Sequence, residues 1–233
     1  MDKREIRKTA IMVDGGFYRR RADNLWGKKS AEGRAEELFK YCLKHIQDPE
    51  EPRDLYRIFY YDCQPMEREL KHPLTGATVS FINTDTYKWA KDFYGQLATK
   101  RKVALRMGEL AESQAKFLLT YDSTIALING EKTIAQLKEK DFYIEVKQKG
   151  VDMRIGLDVA SLAHGRYVDQ IVLIAGDSDF VPVAKMARRN GIDFLLDPLR
   201  QVPKKILLDH IDGVESYVDL NMQKTKRVIN DKT

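Results

Sequence analysis

Apolar residues in this chain follow two rhythms. Ala10–Val13, Leu55–Tyr61 (with Arg57 inside), Ile171–Ala175 and Ile192–Leu196 are short runs without polar alternation. Such runs suit parallel strands buried on both faces. Lys102–Arg106 is a weaker fifth strand. Between them, Ala31–His45 places Leu38, Tyr41, Cys42 and His45 on one stripe, and Asp152–Ala163 and Val181–Asn190 repeat the helical spacing. Gly191 sits just past the last of these helices, where a left-handed cap is needed, and Arg188 and Arg189 complement its final turn. Pro203–Ile211 is expected as another helix, closed by Gly213 before a short strand Ser216–Leu220. Strand and helix alternate throughout, which predicts an α/β fold: a three-layer α/β/α sandwich around a mainly parallel sheet.

Residues 1–222 are expected to form a single domain, with an elaborated middle region from about 63 to 148 and a polar, basic tail at 223–233. The middle region carries a helix near Asp85–Leu97. Asn129-Gly130 is a hairpin turn signal between Thr124–Ile128 and the polar residues after Gly130. Its irregularity suits a lid or a substrate-guiding insertion.

Composition narrows the class. With 43% hydrophobic and 32% charged residues the chain has the make-up of a folded globular protein. Forty basic residues against 35 acidic ones leave a net charge of +5, which permits nucleic-acid binding without demanding it. Cys42 and Cys63 are too few for a disulfide framework and lack zinc-ligand spacing. No apolar stretch reaches the length of a signal peptide or membrane span, so the cytoplasm is the expected location, with no membrane partner. The oligomeric state stays open, a homodimer included.

The chemistry concentrates where strands end. Open parallel sheets place their sites beyond the carboxyl ends of the strands. Ala10–Val13 runs into Asp14-Gly15-Gly16, and Ile171–Ala175 runs into Gly176-Asp177-Ser178-Asp179-Phe180. If the two strands are neighbours, Asp14, Asp177 and Asp179 converge, and their mutual repulsion favours a cation among them. Carboxylate oxygens with room for water suit Mg2+ or Mn2+, which can activate water and hold a scissile phosphate. Gly15 and Gly16 let the backbone approach a ligand closely. Each piece also has a plainer reading: Asp14-Gly15 as a strand-to-turn junction, and Ser178 or Asp179 as a helix cap ahead of Pro182. Asp152 follows Lys149-Gly150-Val151 at the start of a helix, where an acid is favoured by the dipole. Asp158, six residues on, is turned about 240° from it on an ideal helix and is a supporting residue.

Taken in order, Val13-Asp14-Gly15, Lys149-Gly150-Val151-Asp152 with Asp158, and Gly176-Asp177-Ser178-Asp179-Phe180-Val181-Pro182 with Gly191 resemble the NYN domain, and within it the LabA-like bacterial branch. The resemblance runs from about Ala10 to Leu220, with almost no motif in the middle third. It implies a PIN-like fold and metal-dependent hydrolysis of phosphodiesters, usually of RNA. Carried across, it makes Asp14, Asp152, Asp177 and Asp179 the catalytic, metal-binding acids, with Gly15, Lys149, Asp158 and Ser178 in support. Many members have asparagine where this chain has Gly16, so no polar helper is expected there.

Arg19, Arg20, Arg21, Lys28 and Lys29 follow Asp14 and are candidates for nucleic-acid phosphates, with Phe17, Tyr18 and Trp26 as stacking surfaces. A solvated basic face over packed aromatics is the alternative. The four histidines are scattered and no Gly-rich phosphate loop occurs, which counts against zinc hydrolases, kinases and NTPases. The leading expectation is an Mg2+- or Mn2+-dependent nuclease, RNA before DNA. Two others stand beside it: a non-catalytic RNA- or DNA-binding regulatory module, and a magnesium phosphohydrolase of small substrates.

Overall fold

The apolar runs become the strands of a mainly parallel sheet. A computed structural model of the chain describes residues 6–47, 51–217 and 225–227. In chain order its elements are β1 (Arg7–Asp14), α1 (Gly15–Trp26), α2 (Ala31–Lys44), β2 (Arg53–Cys63), β3 (Glu69–Lys71), β4 (Thr78–Ser80), α3 (Asp85–Ala98), β5 (Val103–Leu110), β6 (Lys116–Leu119), α4 (Tyr121–Ile128), β7 (Phe142–Glu145), β8 (Gln148–Lys149), α5 (Val151–His164), β9 (Gln170–Ile174), α6 (Val181–Arg189), β10 (Asp193–Asp197), α7 (Lys205–Leu208), β11 (Gly213–Ser216) and β12 (Thr225–Arg227). Two compact units divide them: Met1–Asp62, Asp92–Gly108 and Gly150–Thr233 form one, Cys63–Lys91 and Glu109–Lys149 the other.

In the first unit the strand order is β12-β11-β10-β9-β1-β2-β5. The central strand β1 is parallel to β2 on one side and to β9 on the other, with Asp14 opposite Tyr61 and Val13 opposite Ile174. β10 is parallel to both β9 and β11, and β12 is antiparallel to β11. Ala10–Val13 and Ile171–Ile174 are fully buried. Their unbroken apolar character follows from helices covering both faces of a parallel sheet. Ser30 caps α2 by accepting from the Gly33 amide at 3.1 Å, and the helix buries Leu38, Tyr41 and Cys42. Gly191 takes the left-handed conformation (φ 79°) after α6. This architecture is the expected α/β sandwich with a mainly parallel sheet, and it sets the ends of β1, β2, β9 and β10 along one edge.

The carboxyl-terminal expectation needs correction. Only Lys205–Leu208 is helical, and Gly213 opens β11 instead of closing a helix. Asp212 is drawn to the sheet: its amide donates to the Phe194 carbonyl and its carboxylate accepts from the Phe194 amide, both at 2.8 Å. The residues of the expected Ser216–Leu220 strand beyond Tyr217 lie outside the described residues, as does the tail apart from Thr225–Arg227.

The second unit packs Met66, Leu70 and Ala115 against Phe81, Phe117, Ile144 and Val146. It pairs β3 with β4 and β6 with β7, and joins the last residues of β5, Glu109 and Leu110, to β8, all antiparallel. The expected hairpin at Asn129-Gly130 is instead a helix end. Thr120 caps α4 by accepting from the Ser123 amide at 3.3 Å. Gly130 is left-handed (φ 73°), and the Lys132 amide returns to the Ala126 carbonyl at 3.0 Å. Asn-Gly serves a hairpin or a helix terminus equally well, because both need positive φ. Among the described residues no helix is long and apolar enough to cross a membrane.

Candidate functional site

β1 passes into α1 without a loop. Asp14, the last strand residue, caps the helix: its Oδ1 accepts from the Phe17 amide at 3.0 Å. The turn is tight because Gly15 has no side chain. A Cβ there would lie 2.5 Å from Tyr60 Cζ and Oη and 2.7 Å from Asp62 Oδ2. The space around Gly15 is thus filled by the end of β2.

Beyond β9, Ser178–Phe180 forms one 3-10 turn leading into α6. Its cap is Asp177, whose Oδ1 accepts from the Asp179 amide at 3.1 Å; the sequence had pointed to Ser178 or Asp179. Gly176 permits this turn to sit against α1, since a Cβ at that position would meet Phe17 Cε2 at 2.4 Å. Phe17 therefore joins the two strand ends. The third piece is α5, entered through left-handed Gly150 (φ 79°), with Asp152 in its first turn.

Electrostatics records how close these acids come. Burial, the largest influence, lifts the Asp14 carboxyl above its ordinary range. The Phe17 amide and Arg20 oppose the shift, while Asp152 and Asp62 add to it. Asp152 is lifted as well, first by burial and then by Asp177 and Asp179. Acids from β1, α5 and the turn after β9 thus repel one another across a single edge of the sheet. Among the described residues none of the four has an ion-pair partner, and no three acidic, histidine or cysteine side chains stand close enough together to enclose a metal ion.

The family model for the NYN domain matches residues 124–204. That stretch of the chain is similar to the NYN domain. The matched segment includes Lys149, Asp152, Asp158, Asp177, Ser178 and Asp179; Asp14 precedes it. No curated protein matches the sequence. A crystal structure of a protein of unknown function from Vibrio parahaemolyticus is 13% identical, covering 92% of this chain and 94% of that one at a TM-score of 0.45. That likeness is too distant to bear on fold or activity.

The other candidate residues occupy distinct places. Asp158 accepts from the Tyr61 hydroxyl at 2.8 Å and from Arg106 Nε at 2.9 Å, which fastens α5 to β2 and β5. Lys149 is exposed in β8 of the second unit, its backbone paired with Glu109. Arg19 engages Asp62 at 2.9 Å, Arg21 donates to the Leu199 carbonyl at 2.7 Å, and Lys29 pairs with Glu37. Arg20 and Lys28 are exposed.

Two residues at this edge escaped the sequence reading. Asp62 is buried at the end of β2 beside Asp14, where it accepts from the Tyr60 hydroxyl at 3.0 Å as well as from Arg19. The same rule that found Asp14 could have found it, had the strand been carried past Tyr61. Lys204 donates to Ser178 Oγ at 3.3 Å, placing an ammonium beside the two acids of the turn. No local motif announces that contact, which depends on the chain returning after β10.

Proposed function

We propose that this protein is a metal-dependent nuclease that hydrolyses phosphodiester bonds, RNA in preference to DNA, with Asp14, Asp152, Asp177 and Asp179 as its metal-binding acids. The observation that supports the reading is the chain of repulsion at the carboxyl edge of β1 and β9, where Asp152 acts on Asp14 and is itself acted on by Asp177 and Asp179, with no ion pair to any of the four among the described residues. An all-oxygen donor set suits Mg2+ or Mn2+. Mg2+ is commonly bound through one or two carboxylates together with waters and substrate phosphates, so a closed protein cage is not required. When bound, such an ion neutralises phosphate charge and makes a water nucleophilic at neutral pH.

The chain supplies the positioning. Asp14 is held by the Phe17 amide, and Asp177 by the amide of Asp179. Asp152 retains its proton more strongly than an ordinary carboxyl, so a cation beside it favours the ionised form. Arg20, Lys28 and Lys204 offer charge to the backbone of a bound strand. In this reading residues 1–222 act as one functional domain in the cytoplasm, and the region from about 63 to 148 guides the substrate.

A second reading, a non-catalytic nucleic-acid-binding module, is favoured by one observation: no three of the acids already form a ligand set. Cleavage of labelled single-stranded RNA and DNA in Mn2+, Mg2+ or EDTA separates the two, with an Asp177→Asn, Asp179→Asn variant alongside. Metal-dependent cutting that the variant loses is the expected result. RNA binding with no cutting by either protein would overturn the nuclease assignment in favour of the module.

A further inference from the structure

A groove of about 740 Å³ lies at the opposite, amino-terminal edge of the sheet, about 17 Å away along β9, and takes no part in the chemistry above. Arg7 at the start of β1 and Lys185, Arg188 and Arg189 on α6 line it, together with Asp193 and Asp212. Four cations therefore face two carboxylates.

The carboxylates hold two of the cations in place. Asp193 accepts from Arg7 Nη1 at 3.0 Å and from Gln170 Nε2 at 2.7 Å. Asp212, bonded to the Phe194 amide, forms an ion pair with Arg188 Nε at 2.8 Å. Arg7 also lies 3.9 Å from Glu51. These contacts engage one nitrogen of each guanidinium with the lining acids, so further N–H donors remain to face an oxyanion. Lys185 and Arg189 are exposed and have no ion pair among the described residues.

A helix carboxyl end favours one cation through its dipole, which accounts for Arg188 or Arg189 alone. It does not account for Lys185, Arg188 and Arg189 at spacings of three and four, where like charges repel on one helix face. Nor does it explain Arg7 arriving from β1. The wider charge distribution agrees: the second unit has ten basic and ten acidic residues, so the net +5 belongs entirely to the first.

We infer that this groove binds the phosphate of a nucleotide, either free or within a strand, using Arg7 and Arg188 as oriented forks and Lys185 and Arg189 as additional charge. The site stands apart from the acidic edge and does not depend on cleavage there. The test uses the full chain in EDTA, carrying Asp177→Asn so that hydrolysis plays no part. Inorganic phosphate, a nucleoside 5′-monophosphate and a short single-stranded oligonucleotide are titrated, following the backbone amides of Gly191 and Asp193 by NMR. A Lys185→Glu, Arg189→Glu variant is compared with a Lys71→Glu, Lys88→Glu control of equal charge change on exposed sites of the second unit. The expected result is amide shifts at Gly191 and Asp193 and at least tenfold weaker binding in the groove variant, with the control near wild type. Binding of phosphate and monophosphate alone assigns a free nucleotide; binding of the oligonucleotide alone assigns a strand. Absence of shifts with all three probes, or equal weakening in the control, overturns the inference.

Discussion

Gly15→Ala tests the close approach on which the Asp14 junction depends. The new methyl carbon would stand 2.5 Å from Tyr60 Cζ and Oη and 2.7 Å from Asp62 Oδ2, distances that non-bonded atoms do not tolerate. Tyr60 is poorly placed to retreat. It is fully buried, packs edge-on against Phe93 at 5.6 Å, and donates to Asp62, which is itself held by Arg19 at 2.9 Å. Overpacking of this kind costs about 1–3 kcal/mol. Against it stands the usual gain of about 0.4–1 kcal/mol for glycine to alanine where the backbone permits it. Taken at the middle of both ranges, the net loss is about 1–2 kcal/mol. For a chain of this size that lowers Tm by roughly 2–8 °C, at about 2–4 °C per kcal/mol. The neighbouring Gly16→Ala is the control, since its Cβ would meet only Asp14 Oδ1 at 3.5 Å and Arg20 Nη1 at 3.8 Å. Thermal and urea unfolding of both variants in EDTA decide the matter. Opposite signs are expected, Gly15→Ala less stable than wild type and Gly16→Ala equal or more stable. Equal or raised stability in both would refute the packing of Tyr60 and Asp62 against this turn.

The raised carboxyls set a pH dependence. A folded-state pKa above the unfolded one means the folded protein holds its proton more tightly, so this contribution is present below the ordinary carboxylate range and fades as pH climbs through the raised values. Melting curves of the metal-free protein should therefore show Asp14→Asn, Asp152→Asn losing less stability than wild type as pH rises through that window; parallel curves would contradict it. Saturating Mg2+ or Mn2+ should raise Tm of the wild type, the added stability being about 2.7 kcal/mol at a hundredfold excess over Kd, and Asp177→Asn, Asp179→Asn should lose the shift; differential scanning fluorimetry reads both. Arg34, fully buried, binds Glu37, the Gly27 carbonyl and Asp23 at 2.8 Å. Arg34→Met removes this donor from Asp23 and the Gly27 carbonyl, while Glu37 keeps Lys29 and Tyr18, and should cost about 1–3 kcal/mol in urea unfolding; no measurable cost would mean the network is dispensable.

Where a residue's role follows from its chain neighbours, the sequence sufficed. The runs Ala10–Val13 and Ile171–Ala175 are strands because only a doubly covered strand can be apolar at every position. Asp14 and Asp177 could be placed at strand ends, and Asp152 in a helix's first turn, from those periods and from the glycines beside them. The fate of the cations was not local. Arg19, Arg20 and Arg21 are consecutive, yet Arg19 turns to buried Asp62, Arg21 to the Leu199 carbonyl, and Arg20 to solvent. Successive helix positions point about 100° apart, and what each one meets depends on which strand lies beneath it. Buried Arg34 shows the same limit, as does His45, fully buried and 2.9 Å from Asp197. Charge in sequence predicts exposure until another segment supplies the partner that makes burial tolerable. The pattern of residues thus determined the strands, the helices and the acidic edge, while strand order decided which acids meet, which cations are consumed in holding the fold, and which remain for a ligand.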